Sequence, residues 1–314
     1  MEQEPPLILS ASWLKQNKID RAISERLMNS LNSGERLEQI PELIKSHPEF
    51  DINRDYGFGL PVFSTSFLKD RDTYNFLCSR GIDLNKRDKQ KDTLLIKVCM
   101  KGYASEVEML ASNPKVLANL KGTNNKTALY VACQRPNPRI SNSILCVKYL
   151  IASGKDLAID FDNDGKDPTV MMYLEFKLES LLNSDNVNEG LVQNTMTLKN
   201  LLGRFREDPD KVRNEVRMEL NKPNSSETFA LTVFVCDGYA IIKDKKLTDS
   251  QDELRAKQFF DAMTVLPIEL QMYLSNLACG TSDVIIPHRL REDGFKATVR
   301  SWAKKQNEQD NKQE

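Results

Sequence analysis

The sequence predicts an all-α fold in which a solenoid of paired helices is followed by an α-helical C-terminal domain. Three observations carry this prediction: a period of about 33 residues in the first half of the chain, capping and stop residues at the helix ends of each period, and plain helical patterns after residue 183. The chain has 314 residues, enough for about two domains.

Composition excludes several classes of protein. The 44 Lys and Arg residues nearly balance the 45 Asp and Glu residues, which argues against a strongly basic nucleic-acid binder. No run approaches the roughly 18 apolar residues that span a bilayer, and the N-terminus is acidic where a signal peptide is basic. The six cysteines form no CxxC pair. We therefore expect a cytoplasmic or nuclear protein that contacts neither membrane nor nucleic acid.

The repeats are predicted from two segments of similar sequence, after an N-terminal helical cap over residues 1–36. Residues 92–99 and 126–133 align without a gap, and Thr93 and Thr127 lie 34 residues apart. Corresponding starts are expected near 60–62 and 167–169. Thr and Asp cap helices, Pro suits the first helical position, and Gly ends a helix in the left-handed conformation. We predict caps at Thr93, Thr127 and Asp167, first helical residues at Pro61 and Pro168, and helix stops at Gly81, Gly102 and Gly154.

This pattern resembles the ankyrin repeat, a turn followed by two antiparallel helices. About four degenerate repeats would cover residues 37–182. The family's Thr-Pro-Leu-His motif has proline at its second position, where this chain has Leu94 and Ala128. An insertion around 134–142 is a second departure from the family. The resemblance implies a non-enzymatic module, without a cofactor, that binds another protein through its concave surface.

The turn tips before each capped helix are the candidate contacts, because a repeat of this kind leaves them exposed to solvent. The candidates are Lys89, Gln90, Lys91 and Asp92 in one turn, Asn124, Asn125 and Lys126 in the next, and Asn163, Asp164 and Lys166 in the last. The alternative is that each is only a solvated turn residue.

Residues 183–303 are predicted to form the α-helical C-terminal domain, and the polar segment 304–314 a disordered tail. Asp208 and Pro209 would start one helix, 249–265 and 267–278 would form two more, and a basic helix would end the domain. Residues 229–242 are ambiguous, since Asp237-Gly238 is also a hairpin signal between two apolar runs. Because the neighbouring segments are helical, we expect a helix there too.

The segment 266–274 has a second interpretation. Its Leu-Pro-Ile-Glu-Leu opening resembles the truncated F-box that poxviral ankyrin proteins carry at their C-terminus. That resemblance implies a substrate-receptor subunit of a cullin-type ubiquitin ligase, in which the repeats select the target. The adaptor-binding residues would then be Leu266, Pro267, Ile268, Leu270 and Leu274. The alternative is a helix that only completes the core.

Catalytic and metal-binding patterns are weak. Asp160, Asp162, Asp164 and Gly165 match the first half of an EF-hand loop, but Met171 occupies the position of its bidentate Glu. The only two histidines are His47 and His288, and Cys236 with His288 would be the only nucleophile and base to consider. We therefore expect neither an enzyme nor a metal site.

Overall fold

The computed structural model describes residues 11–134, 142–159, 169–184, 186–220, 222, 225–240, 251–279, 286, 288, 291–292 and 294–300. The chain divides into two compact units, Met1–Cys146 and Val147–Glu314. The described residues form helices, turns and loops without a strand, so the prediction of an all-α fold is confirmed. The predicted domain limits differ from this division and remain a prediction.

The first unit begins with α1 (Ala11–Ser33), a 3₁₀ turn (Leu37–Gln39) and α2 (Ile40–Lys45). One face of α1 places Ile23, Leu27 and Leu31 in the core at helical spacing. This helix packs on α2 and on two 3₁₀ turns, Pro61–Phe63 and Ser66–Lys69. An N-terminal helix therefore packs on the start of the repeats.

Three helix pairs, or their equivalents, follow. The two 3₁₀ turns precede α3 (Arg71–Ser79), α4 (Leu94–Lys101) precedes α5 (Ala104–Ala111), and α6 (Ala128–Gln134) precedes α7 (Asn142–Ala152). A short 3₁₀ turn at Thr123–Asn125 comes before α6. We call α4 and α6 the inner helices; they pack against each other, and α5 packs on α4.

The predicted caps are confirmed in the two central repeats. The Thr93 hydroxyl accepts from the N–H of Ile96, and the Thr127 hydroxyl accepts from the N–H of Tyr130. Gly81, Gly102 and Gly154 all have positive φ, as a left-handed stop requires. Pro61 is a first helical residue as predicted, although its helix is a single 3₁₀ turn.

The first repeat lacks the inner α-helix that its alignment suggests. Ser64 is extended, with ψ of 130°, and separates the two 3₁₀ turns. Its buried hydroxyl donates to the carbonyl of Leu31 at 2.8 Å, a bond to α1 that a continuous helix would not place in the same way. The missing threonine cap removes the local signal that would favour a helix.

The second unit contains α8 (Val170–Leu182), α9 (Glu189–Glu207) and α10 (Pro209–Glu219), which pack in sequence order. Asp167 and Pro168 lie outside the described residues, but the start predicted from them is wrong. Helix α8 begins at Val170, and the Thr169 hydroxyl caps it by accepting from the N–H of Met172 at 3.2 Å. The prediction for α10 is confirmed, since Asp208 caps it and Pro209 is its first residue.

Three further helices complete the described part of this unit: α11 (Ser225–Cys236), α12 (Gln251–Met263) and α13 (Ile268–Ala278). The ambiguous 229–242 segment is helical up to Cys236, and Gly238, with φ of 75°, lies in the turn that ends it. Residues 241–242 lie outside the described residues. Phe229, Met272 and Ile286 form a buried cluster with Phe295 packed against it. Residues 294–300 are helical, in line with the predicted basic helix.

No helix in the described ranges is long and apolar enough to cross a membrane.

Candidate functional site

The turns that precede α4 and α6 share one backbone design. The N–H of Asp88 donates to the carbonyl of Asp92 at 3.0 Å, and the N–H of Gly122 donates to the carbonyl of Lys126 at 2.9 Å. Each turn closes through left-handed residues, with φ of 69° at Lys91 and 53° and 56° at Asn124 and Asn125. Asparagine tolerates this conformation better than other non-glycine residues, which accounts for the Asn pair.

The two turns are also joined to each other. The Asp92 carboxylate accepts from the N–H of Thr123 at 2.8 Å, and the Thr123 hydroxyl donates to the carbonyl of Gln90 at 2.8 Å. Gly122 has room for no side chain, because a Cβ there would lie 2.2 Å from the Asp92 carboxylate oxygen Oδ1. These contacts hold the turns side by side, so their exposed tips form one continuous surface.

An asparagine ladder fixes the loops at the other end of each repeat. The Asn53 amide donates to the carbonyl of Gly81 at 2.9 Å and accepts from the N–H of Asp83 at 2.8 Å. Asn85 makes the same pair of bonds one repeat later, to the carbonyl of Lys115 and the N–H of Leu117, both at 2.8 Å. A side-chain amide can satisfy a donor and an acceptor at once, which explains why the sequence Asp-apolar-Asn occurs at both 51–53 and 83–85.

Asp88 is the charged centre of the first of these turns. Its carboxylate accepts from the N–H groups of Gln90 and Asp92 and lies 2.6 Å from the Lys97 ammonium. Burial alone would raise the pKa of Asp88, but Lys97 and the two N–H donors outweigh it and hold the pKa below its ordinary value of 3.8. Lys97 also lies 4.8 Å from the centre of the Phe63 ring, so it links the turn to the preceding repeat.

Most of the predicted contact residues are exposed in the structure, with one correction. Lys89, Gln90, Lys91, Asn124 and Asn125 are exposed, and Lys126 is half-buried. Asp92 was expected to be solvent-exposed and this is wrong, because its side chain is 6% exposed and is committed to Thr123. Asn163, Asp164 and Lys166 lie outside the described residues.

The positive charge of this surface was not predicted. Lys86 and Arg87 are exposed beside the first turn, and Lys121 is half-exposed beside the second. The signal was present in the sequence, since residues 109–155 contain seven Lys and Arg and not one Asp or Glu. A charge total for the whole chain hides this segregation, because it averages the basic residues 84–155 with the acidic segments on either side of them.

Helix α13 carries three of the five predicted adaptor-binding residues. Its polarity is inverted, because polar side chains lie on its buried face and apolar side chains on its exposed face. Its buried face includes Gln271, whose amide donates to the carbonyls of Met263 and Leu266 at 3.1 and 2.9 Å. Ser275 and Asn276 are buried on the same face. The outward face carries an apolar stripe at i, i+3, i+4 and i+7 spacing: Leu270, Tyr273, Leu274 and Leu277.

The exposure of the predicted residues on and before α13 varies. Leu270 is 47% exposed and Ile268 is 50% exposed, whereas Leu266 and Leu274 are half-buried. Pro267 is exposed and precedes the helix rather than forming its first residue.

The alternatives involving catalysis or a metal find little support. Burial, and next the charge of Asp237, raise the pKa of the Cys236 thiol, which is opposite to the shift that a nucleophilic thiolate needs. His288 is exposed, and its Nδ1 lies 3.9 Å from the Oε1 atom of Glu292. Asp160, Asp162, Asp164 and Gly165 lie outside the described residues, and Met171 is a buried core residue. Within the described ranges, no group of three His, Cys, Asp or Glu is placed to hold a metal ion.

The family comparison agrees with this geometry. The family model for ankyrin repeats matches residues 64–160 in three copies. This match supports the assignment of ankyrin repeats to this segment. Ankyrin repeats generally mediate contacts between proteins and are generally not catalytic. The match does not reach α13, so the F-box-like resemblance is not shown. None of the curated proteins matches the chain.

Proposed function

We propose that this chain is a non-enzymatic binding module that binds a partner protein through the concave surface of its ankyrin repeats, with the turn tips as the contacts. The observation that carries the proposal is the pair of hydrogen bonds from Thr123 to Asp92 and Gln90, which ties one turn to the next. The exposed side chains at Lys89, Gln90, Asn124 and Asn125 thus stand on a scaffold that is already ordered. A preorganised surface loses little conformational entropy when it binds, which favours affinity.

The test uses two matched triple variants. The turn variant is Lys89→Ala, Gln90→Ala and Lys126→Ala. The control variant is Lys45→Ala, Asn75→Ala and Lys115→Ala, which removes the same charge and one amide from exposed positions outside the turns and inner helices. The free energy of unfolding of both variants should lie within about 0.5 kcal/mol of that of the intact chain, as is usual for surface substitutions.

Each variant is immobilised and exposed to an extract of cells that express the protein, and retained proteins are identified by mass spectrometry. The proposal predicts a protein that the intact chain and the control retain and the turn variant loses. If the turn variant retains every protein that the control retains, docking on the turns is contradicted.

A second candidate function is supported by the apolar outward face of α13. The F-box-like interpretation needs Leu270 and Leu274 exposed on a helix that is anchored by its opposite face. Leu270 is exposed and Met272 is buried, whereas Leu274 is half-buried. Under this candidate, α13 docks on the adaptor of a cullin-type ubiquitin ligase, and the repeats select the substrate.

A pair of substitutions on the exposed face of α13 tests this candidate. Leu270→Asp with Leu277→Asp changes two exposed positions, whereas Leu274 is half-buried. The candidate predicts that a cullin adaptor is captured by the intact chain and lost by this folded double variant. It is abandoned if no adaptor is captured, or if the double variant captures it equally well.

The state of the cysteines indicates the compartment in which the proposed module acts. None of the six cysteines forms a disulfide, and Cys99, Cys133 and Cys146 are buried together in the repeats. Burial, with the nearby thiols Cys146 and Cys133, raises the pKa of Cys99 well above its ordinary value, so this cluster is suited to a core of reduced thiols. We therefore assign the module to the cytoplasm or nucleus.

A further inference from the structure

The two joined turns carry a concentration of positive charge that the proposed function does not by itself require. We define the basic turn face as Lys86, Arg87, Lys89, Lys91, Lys121 and Lys126. Four of these side chains are exposed and two are half-exposed. Within the described part of the chain, none of the six forms an ion pair.

The acidic residues of the same segment are already occupied. Asp88 is bonded to Lys97 and to two backbone N–H groups, and Asp92 is buried on Thr123. The other two acids between residues 84 and 134, Glu106 and Glu108, belong to α5, the outer helix of the repeat. Among residues 84–134, the turns therefore expose positive charge with no acidic side chain left to neutralise it.

Sequence composition shows that this segregation is local. Residues 84–155 contain thirteen Lys and Arg and four Asp and Glu, a net charge of +9 in a chain whose formal net charge is −1. Residues 35–83 have nine acidic and six basic residues, and residues 156–190 have nine acidic and two basic residues. The basic region is short and is bounded on both sides by acidic sequence.

We propose that the basic turn face binds a short acidic segment of the partner protein, with Asp or Glu side chains opposite the six cations. This proposal rests on the proposed function and specifies the chemistry of its partner. Like charges held side by side repel one another, and an acidic segment removes that repulsion while it gains direct ion pairs.

The observations favour a peptide over a nucleic acid. A nucleic acid carries phosphate charge along its whole length and favours a long basic stripe, whereas the basic sequence here is confined to residues 84–155. Single strands also need free aromatic rings for base stacking. Here Tyr130 is buried beneath Lys126, with 5.4 Å between the ammonium and the ring centre, and Phe63 is half-buried against Lys97.

The experiment uses the full chain and a fluorescent synthetic peptide of alternating Glu and Ser, followed by fluorescence anisotropy. A peptide with Gln in place of Glu and a labelled oligothymidylate of equal length serve as comparison probes. Binding is measured at about 20 mM and about 150 mM salt, because the distance over which salt screens charge–charge interactions is much shorter at the higher concentration.

Two charge-reversal pairs locate the binding. Lys89→Glu with Lys121→Glu changes one cation on each turn, and Lys45→Glu with Lys115→Glu makes the same change in net charge at exposed positions away from the turns. The milder pair Lys89→Gln with Lys121→Gln covers the case in which charge reversal disturbs folding, which circular dichroism reports.

The proposal predicts that the Glu peptide binds, more weakly at the higher salt, and that the Gln peptide does not. The turn pair should weaken binding about tenfold and the control pair less than about twofold. Equal losses in both pairs, absence of Glu-peptide binding, or tighter oligothymidylate binding that the turn pair abolishes would each overturn it.

Failure of this inference can be separated from failure of the proposed function. The Glu peptide is added as a competitor during partner capture by the intact chain. If the alanine turn variant loses a partner that the Glu peptide does not displace, turn-side docking stands and the acidic chemistry is wrong. If the alanine turn variant keeps every partner, the proposed function itself fails.

Discussion

At the scale of single residues, Asn85 illustrates how one side chain joins two repeats. Its amide bonds the carbonyl of Lys115 and the N–H of Leu117, and Asn85→Ala leaves both without this partner. We expect the free energy of unfolding to fall by about 1–2 kcal/mol. Urea unfolding measures this, with Asn75→Ala on the exposed side of α3 as the control. Asn75→Ala should be neutral or slightly stabilising, because alanine is the better helix former.

Gly122 is a second residue whose side chain, or lack of one, decides the packing of the turns. In Gly122→Ala the new Cβ would displace the Asp92 carboxylate and press on Ile96, whose Cδ1 lies 2.8 Å away. We expect a loss of about 2–3 kcal/mol, because the bond to Thr123 is lost and the crowding adds strain.

The matched glycine is Gly203 in α9, where the nearest atom to a Cβ is 4.0 Å away. Gly203→Ala should stabilise by about 0.5–1 kcal/mol, since alanine has less backbone entropy to lose in a helix. Thermal unfolding under identical conditions measures the change in stability that each of the two substitutions causes. Equal effects of the same sign would contradict the packing described for Gly122.

Asp88 provides a prediction with a pH dependence. Its pKa is held below 3.8, so the folded state favours the charged form. Its contribution is therefore complete above the unfolded pKa of about 4 and is lost as the pH falls through the lower folded pKa. Asp88→Asn should destabilise by about 1 kcal/mol at neutral pH, since only the ion pair with the partly exposed Lys97 is removed.

The difference in unfolding free energy between the intact chain and Asp88→Asn should shrink as the pH falls below about 4. Urea titrations at neutral and acidic pH measure it. A difference that stays constant across this range would show that the carboxylate charge is not what stabilises the turn.

At the scale of elements, α13 predicts two opposite responses on its two faces. Leu270→Asp with Leu277→Asp should change the free energy of unfolding by less than about 0.5 kcal/mol, because both side chains are largely outside the core. Met272→Asp should cost about 3 kcal/mol or more, because it buries a charge in the cluster of Phe229 and Ile286. Equal effects on the two faces would mean that α13 is packed differently.

The elements also show where sequence reasoning succeeds. Caps and stops such as Thr93, Thr127 and Gly102 act on residues three or four positions away, so their signal is local and readable. The first inner helix was mispredicted because Ser64 bonds to Leu31, 33 residues upstream. Likewise α8 begins at Val170 with Thr169 as its cap, and not after the predicted cap Asp167. The two candidate caps stand two residues apart in the sequence, so the local signal alone does not select between them.

At the scale of the whole molecule, the candidate site was only partly predictable. The positions of the turns follow from the repeat period, but the burial of Asp92 depends on the neighbouring turn, whose Thr123 lies 31 residues away. The charge of the surface needed a count by segment rather than by chain. The inverted polarity of α13 could not be inferred, because a helix that buries Gln271 and exposes Leu270 violates the usual amphipathic rule.

The central claim is that a partner docks on the joined turns of the ankyrin repeats, and site-specific photo-crosslinking tests it most directly. A photoreactive amino acid at position 90 lies in the exposed turn before α4, and the same amino acid at position 75 lies on the exposed side of α3. After irradiation in extracts of expressing cells, we predict a crosslinked partner from position 90 and none from position 75. A partner that crosslinks equally from both positions, or only from position 75, would contradict docking on the turns.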